Sequence, residues 1–347
     1  MAILYGTALL LVVLALFTLF SYKAPHGSKA MGGLADAAVA SFLVEAFHSS
    51  FFGDVLGIKF LGALGACNGS LGGVAAATLV PLALGVSPVY AVMVGLACLN
   101  FKILPGFFVG YIMSFIIKKL EEKVPAGLDL IVIILVALPI AFGIGTALSP
   151  VVDSVLTVIG NVLIEASSAN AIVMGLILGG LITVVATAPL SSMALTAMIG
   201  LTGTPMAIGA LAVFGSSFMN YIFFSKMKFG SQKDNISVAI EPLTQADIIS
   251  ANPIPIFVTN FIGGALSGVI VAAMGLVNNS PGTATAIAGF VVTLTTPENG
   301  VVKVLIAAAG CALVSALAGL LGYRIFKNYK IVTAAEIRGT QEEKVAA

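Results

Sequence analysis

An acid followed at once by proline, Glu241-Pro242, stands in the stretch "VAIEPLTQADIISANP" (238–253) of a chain that is otherwise one apolar run after another. Proline biases the residue before it toward extended backbone, so a helix arriving at Glu241 is expected to end there. Thr244, Gln245, Asp247, Ser250 and Asn252 follow, directly before the apolar stretch that opens at Pro253. Carboxylate, amide and hydroxyl groups at this density can accept from and donate to the hydroxyls of a polar solute. The competing reading of 231–252 is a solvated linker, and charge alone favours it.

A second set of polar groups lies in "TAPLSS" (187–192), in the middle of the long apolar run 170–205. Its proline breaks a helix and frees backbone groups, which within a membrane is tolerated where the break faces protein or a water-filled cavity. Thr187, Ser191 and Ser192 are therefore candidate ligand groups, with a simple kink as the alternative. Asn220, one turn after Ser216 and Ser217, is a candidate contact or an interhelical hydrogen bond. In "PVVDSVLTVIGNVLIEA" (150–166) Asp153, Thr157, Asn161 and Glu165 recur every fourth position and share one helical face. That segment is short for a span and reads as an interfacial helix or a re-entrant arm.

Other ionisable residues have structural readings. In "TTPENG", Thr296 fits an N-cap, Pro297 a first helical position and Glu298 a first turn. Glu45 and His48, three apart, share a helical face, as a structural pair, a dimer contact or a proton relay. Cys67, Cys98 and Cys311 lie singly in apolar segments without metal-ligand spacing, so no metal, disulfide or cofactor is expected.

The elements that position these groups follow from composition. The 347 residues are 59% hydrophobic and 9% charged, against roughly a quarter charged in soluble domains. Runs such as 1–20, 128–148 and 304–323 approach the ~20 residues of a membrane-spanning helix, and none alternates as a β-barrel strand would. The first run has no basic leader and reads as a retained helix. The expectation is an all-α polytopic membrane protein with about ten transmembrane helices and two re-entrant hairpin-like segments. Basic linkers at 22–29, 118–123, 226–233 and 324–330 are assigned to the cytoplasmic side. The segment 118–129 divides an N-terminal scaffold half (1–123), rich in small residues for close helix contact, from a C-terminal half (124–330). Residues 331–347 read as a disordered tail. A net charge of +1 gives no sign of a nucleic-acid partner.

The order of residues in "ISVAIEPLTQADIISANPIPIFVTNFIGGALSGVI" resembles the membrane-embedded IIC component of sugar phosphotransferase systems, in the glucose and chitobiose superfamily. The matching letters are Ile240, Glu241, Pro242, Asn252, Pro253, Gly263 and Gly264. The stretches "SPVYAVMVGL", "ILPGFFVGY" and "TAPLSSMALTAMIGLTGTPMAIG" are similar to an IIC-like branch that includes a protein described as a perfringolysin O regulator. The resemblance implies a permease of the bacterial inner membrane and a homodimer held by its N-terminal half. It further implies that the C-terminal half carries a sugar across by an elevator-like motion, with Glu241 bonding a substrate hydroxyl. On that basis Glu241, Pro242, Thr244, Gln245, Thr187, Ser191, Ser192, Asn220 and Asn161 are the expected substrate contacts, and Glu241 the candidate base. The chain departs from the glucose branch where "TAPLSS" stands in place of histidines, since hydroxyls bind sugars but do not accept protons near neutral pH. No phosphocarrier domain is evident, so separate IIB and IIA chains would supply phosphate. The alternatives are a proton-coupled secondary transporter and a membrane sensor.

Overall fold

The computed structural model describes residues 2–125, 127–167, 169–190 and 192–345. Ser191, a candidate contact, lies outside the described residues. The first half contains α1 (Ala2–Lys23), α2 (Gly27–Ala38), α3 (Lys59–Ser70), α4 (Gly72–Ala83), α5 (Pro88–Ala97) and α6 (Ile103–Lys123). After Gly127 come α7 (Leu128–Val132), α8 (Leu138–Ser167), α9 (Ala171–Thr187), α10 (Ser192–Met198) and α11 (Gly203–Met227). The chain continues through α12 (Gln232–Ile240), α13 (Ala246–Ala251), α14 (Pro253–Ala273), α15 (Ala286–Thr295), α16 (Val301–Phe326) and α17 (Ala334–Val345). No strand occurs among the described residues, only an isolated bridge between Gly203 and Asn278.

Six helical spans among the described residues are long and apolar enough to cross a membrane, or seven if the α3–α4 pair, bent by 57°, counts as one. The shorter apolar helices α5, α9 and α15 account for other apolar runs. Several helices finish in basic residues: Lys23 on α1, Lys123 on α6, Lys226 on α11 and Arg324 on α16. These define a basic end of the bundle, and α6, α11 and α16 all start from the opposite end.

Lipid-like surroundings offer no hydrophobic drive between helices, so close approach of backbones must hold them together. α9 and α14 run antiparallel with glycines face to face. A Cβ on Gly179 would lie 2.2 Å from the Gly264 carbonyl oxygen, and one on Gly268 2.1 Å from that of Gly175. This register carries α9 toward the Pro253 end of α14, where Thr183 Oγ1 donates to the Asn260 carbonyl at 2.9 Å. α2 is prolonged by wide π-helical turns over Val39–Leu43 and Ala46–Val55, which pack against α3 with Gly53 on Gly62. One apolar cluster includes Leu10, Leu34 and Leu104 of the first half with Leu156, Leu178 and Leu211 of the second.

Three expectations are corrected. Residues 150–166 are not a separate short helix: they continue α8, with Pro150 inside it. The helix runs on through the proline because backbone groups of an apolar segment must be satisfied within the helix; along it Ser149 Oγ donates to the Gly145 carbonyl at 2.8 Å and Ser154 Oγ to that of Pro150 at 2.7 Å. "TTPENG" does not start a helix. Thr296 closes α15, donating to the Val292 carbonyl at 2.8 Å, and α16 begins at Val301 after Gly300 at φ 73°. Asn299 prevails there. Its Nδ2 donates to the carbonyls of Val277 and Thr293 at 2.7 and 2.8 Å, while its Oδ1 accepts from the Val277 amide at 2.8 Å. The tail, expected as disordered, is helical over Ala334–Val345, with Ala334 and Ile337 buried. Of the cysteines, Cys98 and Cys311 are buried as expected, whereas Cys67 is exposed.

Candidate functional site

The Glu-Pro segment lies between spans but is built into the body of the protein. α12 starts at a capping box, Ser231 with Asp234, and stops at Glu241, whose backbone is extended at φ −147°, ψ 106°. Pro242 forces that exit and opens a single 3-10 turn, Pro242–Gln245. Thr244 locks the turn, its Oγ1 donating to the Glu241 carbonyl at 2.7 Å. α13 follows and ends at Asn252, again directly before a proline. Asn252 accepts from the Val332 amide at 2.8 Å and donates to the carbonyls of Ile248 and Val332 at 2.9 and 2.8 Å. Glu241, Pro242, Gln245 and every residue from Ala246 to Asn252 are buried. The solvated-linker reading therefore fails for this segment. A linker becomes buried here because its apolar positions, Val238, Leu243, Ile248 and Ile249, enter two of the apolar clusters.

Glu241 is 8% exposed, and among the described residues its carboxyl accepts one long hydrogen bond, from the Leu243 amide at 3.4 Å. Burial pushes it up to about 7, against the weaker lowering effect of that amide. It is thus an acid near its midpoint at neutral pH with spare capacity to accept hydrogen bonds.

α9, which leads into the "TAPLSS" break, packs against the 3-10 turn of the Glu-Pro segment. α9 ends at Thr187, and Ala188, extended at ψ 159°, precedes Pro189. Ala186, Ala188 and Leu190 share an apolar cluster with Leu243 and Ala246 of the Glu-Pro segment. Thr187 is buried and donates to the Thr183 carbonyl at 2.7 Å, and Ser192 Oγ donates to the Ala284 carbonyl at 2.7 Å. Asn220 is fully buried and accepts from Asn260 Nδ2 at 2.9 Å, which is the interhelical bond of its structural reading. One amide atom on each side of that pair, Asn220 Nδ2 and Asn260 Oδ1, has no hydrogen-bond partner among the described residues. Asn161 is not brought to this region. It is exposed on α8, as is Thr157, while Asp153 pairs with Lys102 at 2.8 Å.

A cleft of about 760 Å³ opens at the basic end beside the segment, lined by Lys29 and Asp36 of α2, by Ile240, Thr244 and Gln245, and by Arg338. Glu241 is one layer behind this wall rather than on it. Arg338, from the tail, braces the wall. Its Nη1 donates to Asp234 at 2.6 Å, its Nη2 to Gln245 at 2.8 Å, and its Nε and Nη2 to the two oxygens of Asp247 at 2.9 and 3.3 Å. Burial would raise the Asp234 carboxyl, but hydrogen bonds from Arg338 and Ser231 outweigh it and hold it below its usual value. Burial likewise opposes the charge on Arg338, and Asp247 and Asp234 more than offset it. The sequence reading missed Arg338 because the tail looked unstructured. A signal was there: Thr333 and Glu336 form a T-x-x-E capping box, the Thr333 amide donating to Glu336 at 2.7 Å and the Glu336 amide to Thr333 Oγ1 at 3.3 Å.

At the opposite end, Glu45 and His48 share a helical face but no hydrogen bond or ion pair joins them among the described residues. His48 Nδ1 contacts its own helix at the Val44 carbonyl, 3.2 Å away. No group of three or more His, Cys, Asp or Glu residues that could hold a metal occurs among the described residues.

Comparison with known proteins gives one assignment. A family profile described as "Phosphotransferase system, EIIC" matches residues 28–338, all but the two ends of the chain. No curated protein and no solved structure matches the chain. The matched range takes in both proline breaks, the buried acid and, at its last residue, the arginine that bonds Asp234, Gln245 and Asp247. The chain belongs to the EIIC family of the phosphotransferase system, the sugar-permease component, and is a multi-pass membrane protein.

Proposed function

We propose that this chain carries a sugar across a bacterial inner membrane by binding it where the Glu241-Pro242 turn meets the Thr187–Ser192 break. The observation that supports this most is Glu241 itself. A carboxylate within an apolar body costs roughly 2.5–3.5 kcal/mol on insertion scales, and the one long hydrogen bond from Leu243 does little to offset it. Sugar hydroxyls would supply the missing donors. Thr244 and Gln245 of the same turn line the adjoining cleft and offer a hydroxyl and an amide to the same solute.

In this reading the N-terminal half (1–123) forms the dimer and stays fixed, and the C-terminal half (124–330) moves in an elevator-type cycle. Glu241 is buried behind the wall of the basic-end cleft, as expected for a site closed between its two access states. Phosphate would come from separate IIB and IIA chains at the basic end. Equilibrium binding of glucose and of N,N′-diacetylchitobiose to the purified protein tests the site. Glu241→Gln should weaken whichever sugar binds by at least about 100-fold. Unchanged affinity in that variant would sink the assignment.

One observation favours a second reading, transport uncoupled from phosphorylation. The chain has two histidines, His26 and His48, and both lie in the N-terminal half, which leaves Glu241 as the only evident base near the breaks. Proteoliposomes without phosphocarrier proteins separate the two. Uptake of an unchanged sugar driven by a proton gradient establishes the second reading, and sugar phosphate formed only when IIB and IIA are added establishes the first.

A further inference from the structure

At the end of the bundle remote from the basic residues, a second cleft of about 760 Å³ opens between the two halves of the chain. Glu45, Asn100 and Phe101 line it from the first half, and Ser280 and Thr283 from the second. Glu45 is partly buried in an apolar span. No hydrogen bond or ion pair reaches its carboxylate from any described residue, although an unpaired acid at such depth is costly and is kept, as a rule, for function. The local chain makes room for it. A Cβ on Gly69 would lie 2.1 to 2.6 Å from the three carboxyl atoms of Glu45, so any other residue at position 69 would displace the acid. The side chains of Asn100 and Ser280 likewise make no hydrogen bond to a described residue.

The chemistry of the lining selects a class of ligand. A metal ion needs more oxygen ligands than one carboxylate provides, and the ammonium of Lys102, on the same wall, disfavours a cationic solute. An anionic solute meets Glu45. A neutral polyhydroxylated solute meets neither objection: its hydroxyls donate to Glu45, exchange hydrogen bonds with Asn100 and Ser280, and its apolar ring face can lie against the aromatic walls, Phe42 and Phe101.

Resting on the reading of the chain as a sugar permease, we infer that this cleft is a second sugar site, separate from Glu241, in which Glu45 is the principal acceptor. It lies between halves that the proposed cycle moves apart, so it captures sugar on the side opposite the basic end before the inner site is reached.

Protection of an introduced thiol tests this. Ser280→Cys in a Cys67→Ser background is labelled with a membrane-impermeant maleimide from the side opposite the basic end, in sealed vesicles, with glucose or N,N′-diacetylchitobiose present at millimolar concentration. One of the two sugars should slow labelling by about fivefold, the effect of roughly 80% occupancy. The protection should persist when Glu241→Gln is added and disappear when Glu45→Gln is added. Protection by neither sugar, or protection lost with Glu241→Gln and retained with Glu45→Gln, overturns the inference. Should Glu45→Gln fail to fold by size-exclusion chromatography, Asn100→Ala takes its place, and full protection in that variant counts against the site. Failure of the Glu241 reading is distinguishable, because it appears as unchanged equilibrium binding by Glu241→Gln whatever the labelling shows.

Discussion

The two polar clefts at opposite ends of the bundle have the same volume, about 760 Å³, and treat their charges in opposite ways. At the basic end Arg338 satisfies Asp234, Gln245 and Asp247 together, three partners from α12, the 3-10 turn and α13. At the other end no described residue bonds the Glu45 carboxylate. The difference separates two uses of a charge in an apolar body. A charge with all its hydrogen bonds made inside the protein fixes the position of a chain segment, and one left bare awaits a ligand. Glu241 belongs with Glu45 on this scale, since its single amide contact is long, yet it is held in place by the segment that Arg338 braces.

Removing the brace is expected to have the largest effect on stability. Arg338→Ala leaves Asp234 and Asp247, whose side chains are 8% and 9% exposed, without a counter-charge. Loss of one partner of a fully buried pair costs 3–5 kcal/mol, and the half-exposed arginine moves the figure to about 3 kcal/mol. The thermal midpoint in detergent should fall accordingly. Arg338→Lys should recover little, because an ammonium cannot reproduce the fork that spans Asp234, Gln245 and both oxygens of Asp247. Adding Asp234→Asn and Asp247→Asn to Arg338→Ala should recover much of the loss. A midpoint unchanged by Arg338→Ala would remove the contrast between the clefts.

Glu241 sharpens the contrast through pH. Its carboxyl is raised from 4.5 to about 7, so the folded state favours the protonated form. Its contribution is fully present below about 4.5 and is lost as pH rises through about 7. The stability of the apo protein relative to Glu241→Gln should therefore fall across that window, by on the order of 2 kcal/mol. Chemical-denaturation curves of both proteins at pH 5 and pH 8 measure it, and parallel behaviour of the two would mean that the acid is solvated. Bound sugar should flatten the slope, because hydroxyl donors favour the ionised form.

Glu45→Gln should act in the opposite direction and more weakly. Removing a bare carboxylate from an apolar span should raise the midpoint, by about 1 kcal/mol of stability, while sugar uptake needs a higher outside concentration to saturate. A variant less stable than the parent would mean that Glu45 has a structural partner and belongs with the braced set.

The parts of this arrangement that a reader of the sequence could find are the ones that prolines impose locally. Glu241 before Pro242 and Ala188 before Pro189 adopt extended backbone for a steric reason that needs no tertiary context. Where position depends on partners far along the chain, local reading fails. Residues 150–166 look too short for a span, yet they continue α8 through Pro150. Thr296 looks like an N-cap, yet Asn299, bonded to Val277 and Thr293, makes the segment a turn. Residues 231–252 look like a linker because their polar groups are visible in the sequence and the surfaces that bury them are not. The same holds for Arg338, whose three partners lie 91 to 104 residues away. Glu45 was noticed for the wrong companion: His48 shares its face, but Gly69, on another helix, is the residue that makes space for it.

The smallest effect is expected from Lys102 and Asp153, and it tests whether any ion pair near a cleft acts as a brace. Their 2.8 Å contact links α8 to the residue before α6, yet the side chains are 54% and 42% exposed. Exposed pairs contribute about 0.2–1 kcal/mol, because water screens them and two flexible side chains must be ordered to form them. Lys102→Met should thus lower stability by only on the order of 0.5 kcal/mol, read as a small drop in the thermal midpoint. The shift should also vanish in high salt, where the Arg338 effect persists. A large, salt-resistant loss in Lys102→Met would place this pair among the bracing contacts and make the Glu45 cleft as fixed as the one at the basic end. A small, screened loss leaves the walls of the Glu45 cleft free to part, as a site that opens to admit a sugar requires.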